Sequence, residues 1–173
     1  MSMQSKILIL GIAAMLLAAP VSHADKKNKQ HDTAYSANYN FEVETVGVGS
    51  EGTKSLKVWA FDKTVDAAVQ KAKKNAVAAC IYRGLPASTY ALATPALCAN
   101  PDPKWDAWFN AFFSDNGPYL NYVNLTSDGD PSGQDRLRTK TGYKVGVYIQ
   151  VRFDALRKAL EDEGIIVKMT DWF

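Results

Sequence analysis

The sequence predicts a single α+β domain, with a mainly antiparallel sheet of three to four strands packed against two to three helices in the order β-β-α-α-β-α. Three observations carry that expectation. Apolar residues alternate with period two near residues 39–44, 56–61 and 143–153. The period changes to 3.6 residues at 65–80 and again at 155–160. Gly47, Gly49 and Gly52 lie between the first two alternating runs, where a hairpin connection needs residues free to adopt positive φ.

In chain order, Tyr39, Phe41 and Val43 alternate with Asn40, Glu42 and Glu44, the signature of a half-buried strand. Leu56, Val58 and Ala60 alternate with Lys57, Trp59 and Phe61, a second strand with apolar groups on both faces. Val65, Val69, Ala72, Ala76, Ala79 and Cys80 then fall on one helical face, with Gln70, Lys71, Lys74 and Asn75 turned elsewhere and Gly84 placed to stop the helix. Its buried stripe is mostly alanine, which lets a helix sit close over a sheet.

Residues 84–103 carry Pro86, Pro95, Pro101 and Pro103 and read as a long ordered loop. In KWDAWFNAFFSD, Trp105, Trp108, Phe109, Phe112 and Phe113 form an aromatic stripe on a short helix, with Asp102 as N-cap. That spacing suits a core stripe, and its alternative is an exposed partner surface made by Trp105, Trp108 and Phe112. Residues 126–137 form a turn-rich loop. Tyr143, Val145, Val147, Ile149, Val151 and Phe153 mark the clearest strand. Asp154 is placed to cap a last helix bearing Ala155, Leu156, Ala159 and Leu160, with Gly164 at its end. Ile165-Ile166-Val167 is placed to add a short final strand.

The ends set the expected compartment. Lys6, the apolar run Ile7–Ala19 and Ser22-His23-Ala24 read as a signal peptide over residues 1–24. Residues 25–38, DKKNKQHDTAYSAN, read as a flexible polar tail, and 39–173 as the domain. No later apolar run is long enough to span a bilayer, so the expected product is exported, most readily periplasmic, and not membrane-spanning after cleavage. A formal net charge of +2 with mixed signs supplies no electrostatic footprint for nucleic acid.

Gly47-Val48-Gly49-Ser50-Glu51-Gly52 satisfies G-x-G-x-x-G, but Gly52 opens a strand where a dinucleotide loop must open a helix. Gly52-Thr53-Lys54-Ser55 is one residue out of step with a phosphate-binding loop. No nucleotide cofactor is expected. The chain has two histidines, His23 in the leader and His31 in the tail. A nucleophile paired with imidazole, or a histidine-built zinc site, therefore has no ligand in the domain. Asp62, Asp66, Asp106 and Asp115 leave carboxylate catalysis formally open, although no spacing places two across a cleft. Asp128, Asp130, Ser132 and Gly133 match the first half of a calcium loop, but Thr139 stands where its bidentate Glu belongs and Asp135 where an apolar residue is usual, which leaves Asp128, Asp130, Ser132 and Asp135 as candidates for a weakly held ion. Calcium is thus the one cofactor in view, and a weak one. Cys80 and Cys98 are the only cysteines. In an oxidising compartment they are placed to form a disulfide stabilising by about 3 kcal/mol, against a buried Cys80 and a free loop thiol at Cys98. Asn124-Leu125-Thr126 is an N-glycosylation sequon.

The stretch VGVGSEGTKSLKVWAFDKTVDAAVQKAKKNAVAACIYRG resembles a group of uncharacterised exported proteins of Gram-negative anaerobes. WFNAFFSDNGPYLNYV and GYKVGVYIQVRFDALRKALEDEGI are similar to the same group, so the resemblance covers most of residues 41–167. More distantly, a strand followed by an Ala-rich helix is similar to N-terminal domains of small envelope lipoproteins and flagellar-assembly proteins. Unlike the lipoproteins, this leader has no lipidation cysteine. The resemblance implies a structural or docking role and brings no catalytic residues. The leading expectation is an exported non-enzymatic module that docks onto another envelope or surface protein. The alternatives are a ligand- or calcium-binding surface protein and, third, a small carboxylate-dependent hydrolase.

Overall fold

Strand periodicity becomes geometry in the pairing of two ten-residue strands, one at Thr53–Asp62 and one at Tyr143–Arg152. The computed structural model describes residues 35–168 except 37 and 128. The expected signal peptide lies outside the described residues, as does most of the expected 25–38 tail. The elements are β1 (Glu42–Val48), β2 (Thr53–Asp62), α1 (Val65–Ala78), α2 (Asp106–Phe112), β3 (Val123–Leu125), β4 (Arg136–Arg138), β5 (Tyr143–Arg152) and α3 (Phe153–Asp162). The fold is α+β, with an antiparallel sheet ordered β1-β2-β5-β3. β4 pairs with β5 further along the edge that β3 occupies. β3 and β4 are three residues each and fall in stretches without visible period, which is why the sequence does not announce them.

One face of this sheet is buried. Leu56, Val58 and Ala60 of β2 and Val145, Val147, Ile149 and Val151 of β5 lie under the helices. Removing each large aliphatic side chain from water contributes about 1.5–3 kcal/mol. α1 begins at Thr64, whose hydroxyl accepts the Ala67 N–H at 3.2 Å, and Asp66 sits in the first turn, where the helix dipole favours an acid. Ala68, Ala72 and Ala76 are fully buried, so the helix lies close on the strands. Asn75, expected on the outer side, is only 4% exposed.

α1 does not end cleanly. It widens into a π turn at Ala79–Arg83 and stops at Gly84, whose φ of 81° and ψ of 178° form a combination open essentially to glycine. The widening frees two carbonyls for the following loop. Leu97 N–H donates to Cys80 O at 3.1 Å and Cys98 N–H to Ile81 O at 2.8 Å. Within that loop Leu85 bridges Thr94 and Ser88 bridges Ala91, so the proline-rich segment folds as a small hairpin.

Three boundary expectations are corrected. Tyr35, assigned to the flexible tail, is buried, with its ring 5.9 Å from Phe41 and 5.1 Å from Phe113. Asp154 lies inside the first turn of α3, which starts without a side-chain cap. Residues 165–167 form no strand. Gly164 adopts φ 75°, and the N–H groups of Ile165 and Ile166 both donate to Leu160 O. This turn packs the two isoleucines against the core and leaves Val167 exposed.

A Cβ at Gly84 would stand 2.5 Å from Thr94 O and 2.8 Å from Ala96 N, both backbone atoms that cannot swing aside. Gly84→Ala is therefore expected to cost at least about 1–3 kcal/mol. Thermal and urea unfolding followed by circular dichroism measure this, and an unchanged midpoint would refute it.

Candidate functional site

In an antiparallel pair, directly opposed residues share a face, so the β2–β5 register decides what the second face presents. Three rows run across it. Glu44 of β1 opposes Lys57, which opposes Tyr148. Glu42 opposes Trp59, which opposes Gly146. Phe61 opposes Lys144, which opposes Leu137 of β4. Phe61, Tyr148 and Leu137 are 40%, 39% and 48% exposed, while Trp59 is half-buried.

The absence of a side chain at Gly146 gives the Trp59 indole its seat, because a Cβ there would lie 2.9 Å from Cη2 of the ring. Two ammonium groups flank the indole. Lys57 Nζ is 5.1 Å from the Trp59 ring and 5.0 Å from the Tyr148 ring, and Lys144 Nζ is 5.7 Å from Trp59. Each is also ion-paired, Lys57 to Asp135 at 2.7 Å and Lys144 to Glu42 at 2.5 Å. The hydrogen bond with Asp135 holds the Lys57 ammonium above its usual pKa, so its charge is secure at neutral pH. Beside the indole, Phe41, Glu42, Val43, Glu44, Trp59, Leu137 and Lys144 line an open groove of about 420 Å³.

The sheet edge at β1 is guarded. Arg83 donates to Phe41 O at 3.0 Å, the Thr45 hydroxyl donates to Pro86 O at 2.6 Å, and the strand bulges between Thr45 and Gly47. Such covering and bulging discourage the addition of a foreign strand.

The aromatic helix mostly faces inward. Asp102 caps its entry by accepting the Lys104 N–H at 3.0 Å, as expected, through a short 3-10 turn at Pro103–Trp105. Phe109, Phe112 and Phe113 are buried. Phe112 is thereby removed from the expected partner surface, since Trp108 stacks on it at 4.8 Å and 13°. Trp105 and Trp108 are half-buried and packed against the core.

The expected disulfide is not formed, and Cys80 and Cys98 are free thiols. Burial pushes the Cys80 thiol up to about 12 and raises that of Cys98, so both stay protonated and unreactive at neutral pH. The link between loop and helix exists nonetheless, made by the two backbone hydrogen bonds to the π-turn carbonyls.

The calcium set does not converge. Asp135 is held by Lys57 on the outer face, whereas Asp130 lines a pocket of about 170 Å³ with Asp66, Lys73 and Val147 on the helix side. Ser132 is exposed, and Asp128 lies outside the described residues. Among the described residues no three His, Cys, Asp or Glu side chains group to hold a metal. Of the acids considered for catalysis, Asp62 accepts the Lys63 N–H at 2.7 Å and Asp115 pairs with Lys74 at 2.8 Å, while Asp106 is exposed in the first turn of α2. Both histidines lie outside the described residues.

No family model, curated protein or solved structure matches the chain.

The outer-face residues escaped the sequence reading as a site, although one signal was present. β2 carries aromatics opposite its core-facing residues, and a strand that only met water on that face would be polar there. Gly146→Ala puts a Cβ 2.9 Å from Trp59 Cη2 and 3.1 Å from Asp135 Oδ1, so it should displace the indole at a stability cost of about 1–3 kcal/mol while Trp59 changes environment. A shift in tryptophan emission in Gly146→Ala, absent when the same change is made in a Trp59→Phe background, is the expected result. Cys98→Ser should leave the urea midpoint nearly unchanged, whereas breaking a bridge would cost about 3 kcal/mol.

Proposed function

We propose that this chain is an exported, non-enzymatic module that binds a component of the cell envelope or surface through the outer face of its sheet, centred on Trp59. The supporting observation is the contrast between the two faces. One is packed under α1 and the aromatic segment, while the other presents Trp59, Phe61, Tyr148 and Leu137 among ion-paired charges. Exposed aromatics in a polar setting are the composition of recognition surfaces.

The sheet face is favoured over the aromatic-helix surface suggested by the sequence and over the edge of β1. The β1 edge is covered by Arg83 and Pro86, and the aromatic helix spends three of its phenylalanines on the core. The scattering of Asp130 and Asp135 supports a binding role that needs no calcium.

Placement of a photo-cross-linking amino acid at Phe61 or at Tyr148, in the native envelope, should yield a discrete adduct. The same residue at Lys158, exposed on α3, should not. Equal labelling from all three positions, or none from any, would overturn this reading.

A further inference from the structure

We infer that the groove beside Trp59 takes a neutral, polyhydroxylated ligand, a short stretch of uncharged glycan. This rests on the reading of the outer sheet face as the binding surface and names what it binds.

Charge narrows the choice first. Lys57 is neutralised by Asp135 and Lys144 by Glu42. Glu44, which also lines the groove, forms no ion pair among the described residues. An anionic ligand such as a phosphate or an acidic polymer therefore meets no uncompensated cation and one uncompensated carboxylate. A cationic ligand would have the Trp59 ring as its natural seat, but the chain's own Lys57 and Lys144 already flank that ring. What remains is a ligand without charge.

Hydrogen-bonding capacity narrows it further. Each ammonium has three donors and is drawn to one carboxylate, and the Glu42 and Glu44 carboxylates carry further lone pairs. Donors and acceptors thus stand together at the border of an indole. That is the pattern that serves a ring with hydroxyls around its rim and C–H groups on its face. A wholly apolar ligand would cover the remaining donors and lone pairs of these groups, and the Glu44 carboxylate, without giving them partners. The volume, about 420 Å³, falls in the range of small-ligand clefts, and the groove is open rather than enclosed, which suits a segment of a longer chain.

The test is calorimetric titration of the purified protein with two uncharged series, chito-oligosaccharides and cello-oligosaccharides. Binding of at least one series is expected, with an affinity that changes less than about twofold between 0.05 and 0.5 M NaCl, because no net charge is screened. Trp59→Ala should weaken it about tenfold or more, and Trp105→Ala should leave it within about twofold. Leu137→Glu alters an exposed side chain on the groove wall and should weaken binding even if Trp59→Ala fails to fold. Binding that survives both Trp59→Ala and Leu137→Glu would overturn the inference. So would failure of both sugar series while Phe61 and Tyr148 still cross-link to a protein, and that outcome leaves the sheet-face reading standing. Absence of cross-linking from Phe61 and Tyr148 together with absence of sugar binding removes both.

Discussion

The full-length antiparallel pairing of β2 with β5 is the constraint on which the rest of the molecule depends. Side chains alternate across a strand, so a slip of one residue would exchange the two faces entirely. Leu56, Val58 and Ala60 would meet water, and Lys57 and Trp59 would be driven beneath α1. The observed register places Val58 opposite Val147 and Trp59 opposite Gly146. The first pairing builds the core and the second makes room for the indole. Core and candidate site are therefore products of one decision, made at the strand pair and inherited by every neighbouring element.

The helix above the sheet answers a different demand. A row of alanines at 68, 72 and 76 brings α1 close to the strands, but small side chains bury little area each. The missing apolar surface comes from the segment after the helix, through Phe109, Phe112, Phe113 and Tyr119. That segment must be held against the end of α1, and the π turn supplies the means by exposing the carbonyls of Cys80 and Ile81 to Leu97 and Cys98. A covalent link between the same two stretches was the natural reading of two cysteines in an exported chain. Backbone hydrogen bonds perform that task here, and the thiols remain protonated spectators.

How much was legible follows from the range of each signal. The long strands and α1 have enough residues for a period to emerge, so Leu56–Val58–Ala60 and the alanine stripe could be read directly. β3 and β4 have three residues each, too few to show any period, and they exist because β5 offers them an unpaired edge. The 3.6-residue period turns Asn75 away from the alanine face of α1, yet the side chain is buried. Its burial reflects packing from a second direction that a single helical wheel does not represent. The groove was illegible for a similar reason. Glu42, Trp59, Lys144 and Leu137 come from four strands, and only their pairing registers bring them into one place. What could be seen was that β2 wastes no face, and that observation pointed at Trp59 without saying what surrounds it.

The energetics of the outer face argue that its order is built in before anything binds. A lysine side chain loses up to about 2 kcal/mol of rotamer freedom when it is fixed. An exposed ion pair returns only about 0–1 kcal/mol. Lys57 nonetheless has 15% side-chain exposure, held by Asp135 and by two aromatic rings at once. The cation–π contacts, each worth about 0.5–1 kcal/mol at such sites, bring the balance close to zero. An arrangement that stabilises the fold so little, yet leaves Trp59 fixed over Gly146 with polar groups set around it, makes physical sense as preorganisation. Side chains ordered in advance do not have to be ordered by the ligand, and weak contacts with an uncharged partner then suffice to hold it.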